Sequence, residues 1–231
     1  IEGERGPGKE LTARSLHSMS SRRQKRFVVV HCGAIPDTLL ESELFGYEKG
    51  SFTGADHQHV GLIESAGGGT IFLDEITEMS TALQSKLLRF MQDGEVRRIG
   101  GHDVRHVAVR VVAAANKNID EEVAAGRFRL DLLYRFIVRL LIPPLRERRS
   151  DIPLLIETML KKLGYPDVRV SPEAMETLMG YDWPGNVREL ENVLRQTLLL
   201  SPFVVILPEN LPDRFRTRAV VSAQAGPPEW T

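Results

Sequence analysis

Apolar residues fall along this chain in two rhythms. The first is the short, continuous run. FVVVHC (27–32), TIFLDEI (70–76), HVAVRVVAAAN (106–116) and FIVRLLI (136–142) are rich in β-branched and aliphatic residues and read as buried strands. The last is stopped by Pro143 and Pro144. The second rhythm is helical and lies between the runs. KELTARSLHSM brings Leu11, Ser15, Leu16 and Met19 near one face. STALQSKLLRFMQDG opens on a Ser80 cap and repeats Leu83, Leu87 and Met91 at i, i+4 and i+8. Strands alternating with helices predict an α/β fold with a parallel sheet covered on both faces. A strand leading into Gly3 would be first in that sheet, and Ile1 is all of it that is present, so the first strand is expected to be largely missing.

After Pro144 the pattern changes. SDIPLLIETMLKKLG, SPEAMETLMGYDW and GNVRELENVLRQTLLL follow one another as helices, with no strand pattern between them. Ser171 followed by Pro172 is a cap followed by proline at the first helical position. The expected organisation is an α/β core at 1–146, a small all-helical lid domain at 147–215, and a linker or loose tail at 216–231, where periodicity is lost.

Composition narrows the function classes. The 231 residues carry a formal net charge of −1, so no global basic field argues for nucleic acid. The single cysteine, Cys32, excludes an internal disulfide and fits a reducing compartment. No apolar run approaches the ~20 residues of a membrane span, and no signal peptide is visible. These features predict a cytoplasmic protein that does not bind membranes. The SRRQKR cluster (21–26) reads as a solvated face.

Candidate chemistry lies at the ends of the runs. GERGPGKE (3–10) fits a loose phosphate-loop template, Gly3, four residues, Gly8, Lys9. Glycines free backbone N–H groups to wrap an anion, and the following helix points its positive end at it. Lys9 would reach the β- and γ-phosphates. The strict template has Ser or Thr where this chain has Glu10. TIFLDE delivers Asp74 and Glu75 at a strand's C-terminal end, where ligands of parallel sheets bind. Asp74 suits Mg²⁺ held through water, and Glu75 suits orienting an attacking water. Asn116 ends its strand where a polar group between γ-phosphate and water belongs. Arg127, Arg129 and Arg135 in GRFRLDLLYRF are either solvated surface or, in a ring of subunits, groups that reach a neighbour's nucleotide. Arg188 in WPGNVREL is either surface or folds over phosphates. ESELFGYEKGSFTGAD (41–56) places one aromatic, Phe52, in a Gly-, Ser- and Thr-rich loop bracketed by Gly50 and Gly54. An apolar tip on such a loop is a contact for another macromolecule.

With these motifs the chain resembles the AAA+ ATPase domain of bacterial enhancer-binding proteins, the activators of sigma-54 RNA polymerase, from Gly3 to about Phe215. GSFTGA (50–55) is close to the family's GAFTGA loop, and CGAIPDTLLESELFGYEKG leads into it. GGGTIFLDEI is similar to its Walker B, FRLDLLYR to its arginine-finger segment, PPLRER to its linker to the lid and WPGNVREL to its second sensor.

The resemblance implies a five-stranded α/β domain with a helical lid, forming a hexameric or heptameric ring that hydrolyses ATP with Mg²⁺ at subunit interfaces. By it Gly3, Glu4, Arg5, Gly6, Pro7, Gly8, Lys9 and Glu10 form the nucleotide loop. Asp74 and Glu75 serve Mg²⁺ and water, Asn116 is the first sensor, Arg188 the second, and Arg129 and Arg135 act in trans. Gly50, Ser51, Phe52, Thr53, Gly54 and Ala55 contact sigma-54, so that the promoter complex opens. DNA recognition then belongs to a separate C-terminal domain.

This chain departs from the family's pattern in places. Arg5 stands for Ser and Pro7 for Thr, and Pro7 offers no N–H to a phosphate. Glu10 is normal for the family. Ser51 replaces Ala in the loop, and Ala115 replaces a common Thr. His31 replaces the Asn that acts as a switch between γ-phosphate and the Walker B Glu. Imidazole titrates near neutral pH, so reduced or pH-sensitive hydrolysis is expected. Two alternatives stay open: a generic AAA+ remodeller, and a nucleotide-binding module with weak or lost hydrolysis.

Overall fold

A computed structural model describes residues 1–200 and 204–215. The tail expected at 216–231 lies outside the described residues. The chain divides into two compact units, one formed by Ile1–Gly3 with Gly8–Ile142, the other by Glu4–Pro7 with the chain from Pro143 on.

The first unit is built on a parallel sheet. Strands β1 (Phe27–His31), β4 (Thr70–Asp74) and β7 (Arg110–Ala113) pair in the order β1-β4-β7, with Val28 beside Ile71 and Ile71 beside Val111. Side chains alternate between faces, and the two sets bury against different helices. Val28, Val30, Ile71, Leu73, Val111 and Ala113 join the larger core with α2 (Asp37–Phe45) and α4 (Thr81–Asp93). Phe27, Val29, Phe72, Val112 and Ala114 form a smaller one with Ala13 of α1 (Lys9–Ser18). Both faces are thus covered, which is why these strands are apolar runs and not alternating patterns. Helix α4 starts as its sequence predicts, with the Ser80 side chain accepting from the Leu83 N–H, and stops at Gly94 in the left-handed region (φ 69°).

Three local expectations are corrected. Leu11 of α1 and Met19 just after it are 70% and 85% exposed, and the helix instead buries Lys9, Ala13 and His17. The run 106–116 is divided: β7 takes only Arg110–Ala113, so Asn116 follows the strand and does not end it, while His106 ends β6 (Val104–His106), which pairs antiparallel with β5 (Glu95–Arg97). The run 136–142 forms no strand beyond one bridge, Leu141 with Glu2. Its pairing partner is only Ile1–Glu2, which also bridges Ala115, and Ile137 and Val138 stand exposed. An apolar cavity of about 630 Å³ lies between the edge of β7 and residues 136–140. Arg139 fixes Glu2 in this place through a two-pronged ion pair (2.6 and 2.9 Å) and also grips Asp120.

The second unit is helical, with α7 (Ile152–Lys162), α8 (Pro172–Gly180) and α9 (Asn186–Leu200). The predicted Ser171 cap is formed, its hydroxyl accepting from the Ala174 N–H at 3.2 Å. Trp183, Leu190, Val193 and Leu194 are fully buried in its core. The unit also holds a short parallel pair, β8 (Arg169–Val170) with β9 (Val205–Ile206), which two-residue runs cannot announce in a sequence. No described helix is long and apolar enough to cross a membrane.

Candidate functional site

In the first unit, parallel pairing gathers the predicted residues at one sheet end. Leu73 pairs with Ala113, and Glu2 bridges Ala115 in parallel. Gly3, Asp74, Glu75 and Asn116 therefore leave the sheet at its C-terminal edge, where parallel sheets bind ligands. The loop after Gly3 turns into α1 at Gly8, whose φ of 109° is open to glycine and closed to most other residues. Lys9 is buried, and its ammonium donates to the Gly3 carbonyl at 2.9 Å. Glu10 pairs with Arg14 one turn on, at 2.7 Å.

Glu75 occupies the left-handed region (φ 56°), which costs a non-glycine residue about 1–3 kcal/mol. The strain has visible supports. Asn116 donates to Glu75 Oε1 at 2.9 Å, and the Ile76 N–H donates to the Ala114 carbonyl at 2.9 Å. Gly33 leaves room, since a Cβ there would lie 2.7 Å from Glu75 Oε2. Asn116 thus touches the carboxylate itself, and its own Oδ1 is buried with no protein partner. His31 is brought to Asp74, with Nδ1 3.4 Å from Oδ2. Cys32 beside it is inert, its thiol pushed up to about 12 by burial first and then by Asp74.

The arginines divide. Arg127 forks onto Glu122 at 2.8 and 2.7 Å. Arg129 pairs with Asp131 at 2.6 Å and touches Ser85, while its N–H is held by buried Gln84. Arg135 is exposed. In the second unit, Arg188 is exposed near the start of α9, and Gly6 lies against Gly185.

The GSFTGA loop joins β2 (Gly46–Tyr47) to β3 (His59–Val60). Gly50 and Gly54 both adopt positive φ in open space, and the Gly50 N–H donates to the Ala55 carbonyl at 2.8 Å. Phe52 is 46% exposed, its ring resting edge-on against Tyr47 with centroids 5.0 Å apart. Thr53 sits at the exposed turn.

The support of this loop comes from residues outside it. Arg98 is buried and binds Glu48 of the loop at 3.1 Å and Glu64 of α3 (Leu62–Ser65) at 2.9 Å. Arg105 adds a second pair to Glu64, and Gln58 donates to Glu48. The Glu48 N–H also donates to the Ile99 carbonyl at 3.0 Å. The signal was there: EVRRIGGHDVRH (95–106) carries a Gly-Gly turn between two short β-patterned runs. Ser51 packs on that second hairpin so closely that a Cβ on Gly100 would come within 2.5 Å of the Ser51 Cβ. The Ser51 hydroxyl is buried there without a partner. A buried, unpaired hydroxyl costs about 1–3 kcal/mol, so S51A is expected to raise stability by about 1 kcal/mol in a urea titration. An unchanged midpoint would mean that the hydroxyl is solvated.

Comparison with known proteins agrees with this geometry. Residues 1–141 match the model of the Sigma-54 interaction domain, which covers more than half of the chain. The chain belongs to this family. Residues 146–227 match the AAA+ ATPase lid domain. Over 216 residues the chain is 50% identical to the response regulator protein PilR of Pseudomonas aeruginosa, covering 91% of this chain and 48% of PilR. It is 52% identical over 205 residues to the Nif-specific regulatory protein of Azotobacter vinelandii, covering 87% of this chain and 39% of that protein. The chain therefore spans less than half the length of either relative. The solved structure of NtrX from Brucella abortus in complex with ATP superposes with a TM-score of 0.83 at 34% identity, covering 97% of this chain and 53% of that one.

Proposed function

We propose that this chain is the ATP-hydrolysing central module of a sigma-54-dependent transcription activator in the bacterial cytoplasm. The observation that carries it is Glu75, held in a strained backbone by Asn116 at the sheet end where the Gly3–Lys9 loop begins. A carboxylate fixed there orients a water for attack on a γ-phosphate, and Asn116 holds its direction. Lys9 and the loop amides bind the phosphates, and Arg188 is the second sensor.

The donor set suits Mg²⁺. Among the described residues no three His, Cys, Asp or Glu side chains form a metal cage. Mg²⁺ needs none, since it takes one or two carboxylates plus phosphates and keeps several waters. Asp74 is the residue that would hold it, through water, and the ion supplies neutralisation of phosphate charge.

Arg129 and Arg135 act across a ring of six or seven copies, and Phe52 and Thr53 carry the nucleotide state to sigma-54 and its polymerase. DNA is recognised by a separate C-terminal domain of the whole protein. The test is Mg²⁺-dependent phosphate release against protein concentration. Specific activity should rise cooperatively, because the arginines come from a neighbour, and Lys9→Ala should abolish it. A constant specific rate from monomeric protein overturns the arginine roles. No release that Lys9→Ala removes overturns the hydrolase and leaves a binding module.

A further inference from the structure

Two residues of the phosphate loop that belong to the second unit, Glu4 and Arg5, are gripped by one amide. Asn186 is fully buried and sits at φ 53°, in the left-handed region that Asn tolerates better than most residues. Its side chain is used in both directions. Oδ1 accepts from the Leu145 N–H at 2.8 Å. Nδ2 donates to Glu4 Oε2 at 3.0 Å and to the Arg5 carbonyl at 3.1 Å. A flipped amide would set donor against donor and acceptor against carboxylate, so the network itself assigns the orientation. Arg146 pairs with the same Glu4 at 2.6 Å. Together these hydrogen bonds, Arg146 first and Asn186 second, hold the Glu4 carboxyl below its usual range. Arg148 donates to the Pro7 carbonyl at 2.8 Å. Gly6, at φ 84°, lies so close that a Cβ would come within 2.5 Å of the Gly185 carbonyl oxygen.

A trans peptide is planar, and its C=O and N–H point in opposite directions. Anchoring the Arg5 carbonyl therefore aims the Gly6 N–H away from Asn186. Pro7 has no N–H of its own, so Gly6 is the donor beside the gap it leaves, and Arg148 holds the Pro7 carbonyl that follows.

We propose that Asn186, seconded by Arg148, is a positioning residue of the nucleotide loop, aiming the Gly6 amide at an anion before it arrives. This rests on the nucleotide reading given above. Such preorganisation lowers the ordering cost of binding and shows in affinity.

The experiment uses N186D, which keeps the acceptor for Leu145 and loses both donated bonds, and R148A. Leu194→Ala is the control, a cavity in the core of the same unit matched to the loss of melting temperature. The amide order parameter of Gly6 is measured without nucleotide, and ADP affinity and kcat with it. In N186D the Gly6 order parameter should fall from about 0.85 to below about 0.6. ADP affinity should weaken about tenfold, with kcat at saturation within about threefold. R148A, which frees the neighbouring Pro7 carbonyl, should loosen Gly6 as well, and it carries the test if N186D does not fold. Leu194→Ala should leave this amide unchanged. Unchanged order parameters in both variants, or equal effects in Leu194→Ala, overturn the proposal. Loosened amides in a parent chain that binds no ADP support the positioning and overturn the nucleotide reading instead.

Discussion

Glu75→Gln should reduce ATP hydrolysis by about 10²–10⁴-fold, the range set by losing a group that directs proton transfer or orients water. The substitution is close to isosteric. The amide oxygen of Gln can still accept from Asn116, which donates at 2.9 Å in the parent chain. The left-handed backbone at this position is kept by the Ile76–Ala114 hydrogen bond and the space over Gly33, neither of which needs a charge. Folding stability should therefore stay within about 1 kcal/mol. Nucleotide affinity should hold or improve, because a negative charge near the phosphates is removed. The measurement is a single-turnover rate beside an ADP binding isotherm on the same preparation. A rate within fivefold of the parent would show that the water is oriented by another group. A lost isotherm would show that Glu75 serves the fold.

The sequence announced the sheet and this carboxylate because both depend on local signals. Runs such as TIFLDE are buried on two faces, and a strand that ends in two acids states its own polarity. Capping was equally legible at Ser80 and Ser171, where the side-chain bonds form as expected. What stayed hidden depends on partners far along the chain. Leu11 and Met19 look like a core stripe, yet α1 meets the sheet through Ala13 and His17, the latter 3.0 Å from Thr70. The 136–142 run has strand composition but only Ile1–Glu2 to pair with, so composition alone misleads. His31 stands at the family's switch position, and only side-chain positions show its ring beside Asp74. Arg98 and Asn186 lie in stretches with a pattern of their own, a Gly-Gly turn and WPGNVREL, but their roles depend on Glu48 and Glu64, or on Glu4 and Leu145, on other elements.

Phe52→Ala should abolish capture of sigma-54 with a transition-state analogue, weakening it by at least about 30-fold, while ATP hydrolysis stays within about twofold. Truncating an aromatic anchor at the centre of an interface costs about 2–4 kcal/mol or more. The fold should not register the change. Phe52 is 46% exposed and leans on Tyr47 by its edge. The loop's geometry is set elsewhere, by Gly50 and Gly54 and by the ion pairs of Arg98. That separation distinguishes Phe52 from Arg98. Removing Arg98 would take a partner from each of two partly exposed carboxylates, Glu48 and Glu64, and would lower stability along with capture. Phe52→Ala should lower capture alone. Pull-down with purified sigma-54 beside a thermal melt reads both quantities. Capture that survives Phe52→Ala would assign the contact to another part of the surface and leave the chain a remodeller of a different partner. A melt that falls together with capture would make Phe52 a structural residue of its own hairpin.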